Sequence, residues 1–296
     1  MKRPDLSIVI VSYNTKKITD ECLRSINRSL IGSKIKYEII VADNNSQDGS
    51  KELLEKISSD KKNNLKYFQT GENLGFGRGN NYAVKKAQGK YIFLLNSDTI
   101  VLNSAIEKLH NFYIKNEKDI SFLGPKLYNS DLTPQASAAH FFTLPVIFAL
   151  LFLKGDYWGA TRSSPDTTQQ VDWLSGAAIF TKKALYVRLG GFDKTIFMYM
   201  EEVDLLYRAA KLGLKTYFYP SAQIIHLGSA SSNGRTFPIL QVYRGFIFFY
   251  KKHYSTLSLF MLRLLLKSKA ILAFFIGKIK GNKYLINTYA EAFKIS

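Results

Sequence analysis

Four short apolar runs, each ending on polar residues and each followed by a helical stretch, limit most strongly what this chain can fold into. Leu6 to Val11 is β-branched and apolar, and a helical pattern follows from about Lys16 to Leu30. Tyr37 to Val41 is the next strand signal, and Asp48-Gly49-Ser50 makes a turn that caps a helix through about Ile57. Leu65 to Gln69 and Tyr91 to Leu95 complete the set, with a helix through Lys86 between them. Strands alternating with helices predict right-handed crossovers and a mainly parallel central sheet flanked by helices, an α/β fold. Ligands of such sheets bind at the carboxyl ends of the strands. Three polar clusters fall there: Ser12-Tyr13-Asn14, Asp43-Asn44-Asn45-Ser46 and Asn96-Ser97-Asp98.

Past the helical stretch Ser104 to Lys115 the pattern loosens. Phe141 to Leu153 is strongly apolar and interrupted by Pro145, too short for the roughly 20 residues of a bilayer span. It reads as a buried segment or one dipping into a membrane interface. The apolar stretch Trp173 to Phe180 and a helix-like Lys183 to Leu189 come next, then Gly190-Gly191-Phe192-Asp193. A helix over Glu201 to Leu212 and strands over Thr216 to Tyr219 and Gln223 to Ile225 follow.

Several residue groups have the chemistry of a site. An acid after a buried strand, such as Asp43 or Asp98, accepts from a nucleobase N–H or ligates a divalent metal beside a diphosphate; Asp43 equally suits a plain turn or cap. The segment Glu72 to Asn81 is dense in glycine and amide side chains and opens a helix, where backbone N–H groups and Arg78 favour phosphate. Its glycine spacing differs from that of a dinucleotide fingerprint. Glu201, Glu202 and Asp204 place three carboxylates in four residues behind Phe197-Met198-Tyr199-Met200. Unequal proton affinities there suit a general base, and acids in a helix's first turn also complement its dipole. His226 ends an apolar strand ahead of a Gly/Ser loop, and its neutral nitrogen suits a metal.

In this order the blocks resemble the family-2 inverting glycosyltransferases with a GT-A fold, in particular the bacterial rhamnosyltransferase-like branch. The matching pieces are Ser7 to Asn14, Val41 to Ser46 with Asp48-Gly49-Ser50, and Asn73-Leu74-Gly75-Phe76 with Gly79-Asn80-Asn81. Leu95 to Thr99, Trp173 to Ala177, Gly191-Phe192-Asp193, Glu201 to Leu205 and His226 to Ser229 complete them, covering about residues 5–232. The resemblance implies that the Ser12-Tyr13-Asn14 cluster, Asp43, Asn73, Gly75, Arg78, Asn81, Asn96 and Ser97 line a nucleotide-sugar donor. It implies Asp98 and His226 as ligands of Mg²⁺ or Mn²⁺, and Glu202 as the base, with Glu201 and Asp204 as alternatives. Trp173, Gly176 and Tyr199 would meet the acceptor or sugar. Two departures stand out: Asn96 occupies the first position of the family's DxD element, and Glu202 replaces the more usual Asp.

Charge separates the last part of the chain from the rest. The net charge is +18, and residues 236–296 hold ten Lys/Arg against one acid, Glu291. The expected division is a catalytic domain over 1–235, with its donor half about 1–100 and its acceptor half about 101–235, and a basic, apolar helical appendage over 236–296. Leu257 to Ile276 approaches membrane-span length but carries Arg263, Lys267 and Lys269, which favours an interfacial helix of imperfect amphipathicity. An anionic membrane surface is the expected partner of the tail, with packing on its own domain or in a homodimer as the alternatives. One cysteine, Cys22, excludes an internal disulfide, and the apolar run behind the amino terminus is too short for a signal peptide. These features predict a cytoplasmic protein, peripheral on the inner face of the cell membrane. The expected acceptor is a glycan or lipid-linked glycan in cell-surface polysaccharide assembly. A degenerate, binding-only transferase and a nucleic-acid-binding protein are the rivals; no nucleic-acid motif supports the second, and nucleic acid is not an expected partner.

Overall fold

The computed structural model describes residues 3–159, 161–228 and 236–296. Strands β1 (Leu6–Ser12), β2 (Tyr37–Asp43), β3 (Leu65–Gln69) and β4 (Tyr91–Asn96) pair in parallel in the order β4-β1-β2-β3. Leu6, Ile8, Val9 and Ile10 of β1 are fully buried because helices cover both faces of a parallel sheet. The crossovers are α1 (Lys16–Ser29), α2 (Ser50–Ser59) and α3 (Gly75–Lys86). Asp48 serves two of them, accepting from the backbone N–H of Lys16 at 2.8 Å and of Ser50 at 3.1 Å. At the opposite, amino-terminal edge, buried Glu38 accepts from Ser7 Oγ at 2.6 Å and Lys66 Nζ at 2.8 Å. Burial would push its carboxyl up, but these donors and the Gln88 N–H outweigh it and hold it low.

The remainder of the sheet adds antiparallel strands to this parallel core. After β5 (Thr99–Val101) and α4 (Ala105–Lys115) comes β6 (Phe122–Tyr128), a strand absent from the sequence reading. Short strands β7 (Pro134–Gln135) and β8 (Ala138–Ala139) precede α5 (Leu144–Phe152), whose Pro145 stands in the first helical turn and so begins the helix instead of interrupting it. Then come β9 (Arg162–Ser163), β10 (Gln169–Val171), β11 (Trp173–Leu174) and β12 (Ala178–Lys182). The stretch Trp173 to Phe180 is thus two strands broken at Ser175-Gly176-Ala177. Helices α6 (Lys183–Arg188) and α7 (Glu201–Ala210) lead to β13 (Thr216–His226), one continuous strand with a register shift between Tyr219 and Gln223 where two had been expected. Among the described residues the main sheet runs β10-β13-β6-β12-β4-β1-β2-β3, with β12 antiparallel to both neighbours and β13 parallel to β6. Strands β8, β9 and β11 form a separate small sheet.

Helices α8 (Thr236–His253), α9 (Thr256–Ile279) and α10 (Lys283–Ile295) close the chain. The chain divides into two compact units. One comprises Met1–His140, Arg162–Phe197 and Glu201–Ser231; the other comprises Phe141–Thr161, Met198–Met200 and Ser232–Ser296. The second unit therefore takes in α5 and a three-residue stretch next to α7, besides the basic tail. Within it Tyr250 Oη donates to Phe142 O at 2.9 Å and Lys269 Nζ to Leu151 O at 2.6 Å, tying α5 to the tail helices.

Candidate active site

The carboxyl end of β4 meets the end of β13. Asn96-Ser97-Asp98 follows β4, and the backbone N–H of Leu227 donates to Asp98 O at 2.9 Å, so His226 is delivered beside them. His226 Nε2 lies 3.4 Å from Asp98 Oδ1 and 3.3 Å from Asn96 Nδ2. The tautomer follows from Gln135. Its Nε2 donates to His226 O at 3.1 Å and to Asn129 Oδ1 at 2.9 Å, which leaves Gln135 Oε1 as the acceptor for His226 Nδ1 at 2.7 Å. With Nδ1 turned to Gln135, the ring presents Nε2 to the Asp98 carboxylate and to Asn96 Nδ2. Two electron-pair donors facing one another fit a divalent cation between them, with its remaining positions open to phosphate oxygens. Among the described residues no group of three or more His, Cys, Asp or Glu side chains gathers to hold a metal. Gln135 was not anticipated; it stands in an irregular stretch with no periodicity to mark it.

The segment after β11 joins this corner to the acids. Asn96 N–H donates to Ala177 O at 2.9 Å, placing Ser175-Gly176-Ala177 against the end of β4. Glu202, half-buried, lies over Gly176: a methyl group there would stand 3.6 Å from the Glu202 carboxyl carbon and 3.3 Å from the Phe76 ring. Burial pushes the Glu202 carboxyl above its ordinary range, against the opposing pull of the N–H groups of Glu202, Gly176 and Val203. Glu201 is enclosed, and its Oε2 has no hydrogen-bond partner; burial first, then the charge of Glu202, push its carboxyl far up. Asp204 is fully buried and receives Arg208 Nε at 2.8 Å, while the same guanidinium donates to Leu189 O and, at 2.7 Å, to Gly191 O. Of the three acids, Glu202 is therefore the one with a carboxyl that is neither enclosed nor committed to Arg208.

The polar cluster after β2 is largely self-satisfied. Asp43 is fully buried, with Oδ1 receiving the N–H of Ser46 at 3.2 Å and Oδ2 receiving Tyr67 Oη at 3.2 Å. Asn14 links the β1 and β2 ends, its N–H donating to Ser46 Oγ at 2.8 Å and its Oδ1 accepting the Gln47 N–H at 2.8 Å. Ser12 Oγ is buried without a partner, Tyr13 is half-buried beside it, and Ser97 Oγ faces Thr15 Oγ1 at 3.4 Å. Asn44 Nδ2 donates to Gly75 O at 3.1 Å, next to Asn73, whose Oδ1 caps the Gly75 N–H at 3.0 Å.

Other expected donor and acceptor residues are placed differently. The glycines of α3 admit protein rather than leaving open space. Gly75 has φ +74°, and a methyl group there would come within 2.4 Å of Phe197 O; one at Gly79 would come within 2.9 Å of Val11 Cγ1. Phe197 O also takes the Phe76 N–H at 3.2 Å. Arg78 is exposed and pairs with Glu72 at 3.1 Å. Asn81 spends its amide on the segment ahead of α7: Nδ2 donates to Phe192 O at 2.8 Å, and Oδ1 receives Tyr186 Oη at 2.7 Å and Phe192 N–H at 3.0 Å. Trp173 is buried, with its indole N–H on His140 O at 2.9 Å, a core position. Tyr199, at φ +68°, falls in the second unit. The loop that begins at Ser229 lies outside the described residues.

A family model described as glycosyl transferase family 2 matches residues 7–184. The chain belongs to this family. Strands β1 to β4, Asp98, Gly176 and the residues between them lie inside the match; Glu202 and His226 lie beyond it. An N-acetylglucosaminyl-diphospho-decaprenol L-rhamnosyltransferase of Mycobacterium tuberculosis is 25% identical over 249 residues, 78% of each chain. Rhamnosyltransferase WbbL of Escherichia coli is 27% identical over 234 residues, 74% of this chain and 82% of its own. Among solved structures, a mannosyltransferase from Pyrobaculum calidifontis in complex with GDP-Man and Mn²⁺ superposes with TM-score 0.60 at 14% identity, over 99% of this chain and 74% of its own. That likeness establishes the GT-A fold. The protein is a family-2 glycosyltransferase.

Proposed function

We propose that this glycosyltransferase moves a hexose, L-rhamnose from dTDP-rhamnose first among the candidates, onto a lipid-linked glycan, inverting the anomeric centre. The rhamnosyl group is suggested by the names of both relatives, and the lipid-linked acceptor by that of the Mycobacterium tuberculosis protein. The position of Glu202 carries the mechanism: its carboxyl lies over Gly176, next to the corner that holds Asp98 and His226. Glu202 accepts the proton of the acceptor hydroxyl as that oxygen attacks the anomeric carbon from the face opposite the leaving diphosphate. The N–H groups of Gly176 and Val203 orient the carboxylate, and the Arg208–Asp204 pair fixes the helix that bears it. Burial beside Glu202 favours the neutral form of the Glu201 carboxyl.

Asp98 and His226 would hold Mg²⁺ or Mn²⁺, with Asn96 donating beside them. Such a cation, when bound, stabilises the charge of the departing nucleoside diphosphate. Asp43, ringed by Ser46 and Tyr67, and exposed Asn73 border the side from which a pyrimidine nucleotide would enter. The Arg78–Glu72 pair is an exposed one of the kind worth about 0–1 kcal/mol, so Arg78 is free to turn to phosphate. The enzyme would work at the inner face of the cell membrane in surface polysaccharide assembly. Turnover of Glu202→Gln, with nucleoside diphosphate affinity measured separately, tests the reading: turnover should fall by about 10²–10⁴ with affinity unchanged. Full turnover with intact binding removes Glu202 from the base role. A donor panel scored by nucleoside diphosphate release identifies the sugar.

A further inference from the structure

Helix α9 is apolar on two opposite faces, and only one of them is covered. Leu262, Leu266, Ala270, Ala273 and Gly277 are its buried positions, recurring every three or four residues. They pack inward: Tyr243 Oη of α8 donates to Leu266 O at 3.3 Å, and a methyl group on Gly277 would come within 2.8 Å of Leu285 Cβ of α10. At 100° per residue, the side chains of Leu257, Phe260, Met261, Leu264, Ile271, Leu272, Phe275 and Ile279 fall within about 60° of a single line opposite that face. All eight are between 43% and 86% exposed. The outward face thus carries more large apolar side chains than the covered one, unlike an ordinary surface helix, whose outward face is polar. Scattered exposed leucines are normal on a protein surface, whereas a continuous stripe about 33 Å long marks an interaction face.

Charge identifies what covers it. By the same wheel Arg263, Lys267 and Lys278 lie along one shoulder of the stripe and Lys280 lies toward the other, while Lys269 is held by Leu151 O of α5. Among ten Lys/Arg in residues 236–296 there is one acid, Glu291. Two copies of this face packed together would bring like-charged shoulders into register, an arrangement that costs free energy. An anionic bilayer instead accepts the apolar stripe among its acyl chains and the cations among its headgroups. No helix among the described residues is long and apolar enough to cross a membrane, in keeping with a helix that lies in the interface plane.

We infer that the outward stripe of α9 from Leu257 to Ile279 is a docking face for an anionic lipid bilayer. The inference deepens the lipid-linked acceptor reading above by naming the surface that meets the lipid. The test uses the full chain and two kinds of vesicle, pure phosphatidylcholine and phosphatidylcholine with about a third phosphatidylglycerol. Wild type should sediment with the anionic vesicles and be released progressively by salt. Phe260→Asp/Phe275→Asp should weaken that binding by at least about tenfold, as should Ile279→Asp, which alters the most exposed of these positions and so leaves folding intact. Turnover on a water-soluble acceptor should be unchanged in both variants, which separates failure of the docking face from failure of the transferase reading. Equal vesicle binding by wild type and a folded variant overturns the inference. So does a wild type that ignores the vesicles, or one that forms a dimer which the same substitutions dissociate.

Discussion

The amide of Asn81 distinguishes a phosphate ligand from a structural pin, and Asn81→Ala separates the two. In the fold this amide bridges α3 to the segment ahead of α7, meeting Phe192 O, Phe192 N–H and Tyr186 Oη. Phe192 and Tyr186 are both almost fully buried, so water does not replace what is removed. Phe192 N–H retains a long contact to Tyr186 Oη at 3.3 Å, which leaves two groups orphaned, the Phe192 carbonyl and the Tyr186 hydroxyl proton. At about 1–3 kcal/mol for each buried unsatisfied group, the variant should lose about 2–6 kcal/mol. For a unit of this size that corresponds to a fall in Tm of roughly 4–24 °C. Asn81→Asp should be similarly costly, because a carboxylate oxygen would then face the Phe192 carbonyl. Thermal unfolding by circular dichroism reads the first quantity, and calorimetric titration with a nucleoside diphosphate at low temperature reads the second. A Tm within about 1 °C of wild type together with a tenfold or greater loss of nucleotide affinity would refute the pin and return Asn81 to the phosphates.

Gln135→Leu should weaken Mn²⁺ binding by about 10–100-fold, read by titration of the protein in the presence of nucleoside diphosphate, because His226 loses the partner that fixes its tautomer; unchanged affinity would mean that the imidazole orients itself. Glu201→Gln tests the buried acid. The Glu201 carboxyl is held far above its value in the unfolded chain, so between pH 4.5 and that raised value the folded state carries more protons and stability falls as pH rises. The variant should lose that part of the decline and be the more stable protein at neutral pH, measured as Tm against pH; an unchanged profile would show that Glu201 is not the group responsible. Gly75→Ala should unfold at lower temperature by several degrees, since its new methyl group meets the Phe197 carbonyl oxygen at a φ of +74°. A Tm equal to wild type would show that the approach of Phe197 to α3 is not tight.

The amino-terminal half of the fold was legible because its strands are buried on both faces and therefore continuous in sequence, from Leu6 to Val11 and from Tyr91 to Leu95. Strand β6 escaped because Phe122-Leu123-Gly124-Pro125-Lys126 carries two strand breakers in its middle. The structure accommodates both. Pairing with β12 extends only over Phe122 and Leu123, so no neighbour on that side needs the N–H that Pro125 lacks, and a methyl group at Gly124 would press on Leu174 at 2.8 Å. Lys126 is buried there too, its charge met by Asp166 from forty residues away. The candidate site shows the same division. Asp98, His226 and the acids at 201–204 have chemical side chains that stand out in a sequence, but which of the acids is open depends on Arg208 and on the burial of Glu201. Gln135 and Asn81 are amides whose roles come entirely from partners distant in the chain. In α9 the large and small apolar residues alternate around the helix, and sequence alone does not tell the face that is covered from the face that is not.

Strand β13 has a consequence for how chains of this kind can drift in length. Ala222 and Ile224 point into the core, and alternation puts His226 on their side of the sheet. Losing or gaining one residue between Ala222 and His226 would turn the imidazole to the opposite face, while a change of two would preserve its direction but shift it about 7 Å along the strand. Either change would part the imidazole from Asp98, which it meets at 3.4 Å. The irregular stretch from Tyr219 to Gln223 already absorbs a register shift, so length variation should collect at or before that point and leave the last five residues of the strand uninterrupted.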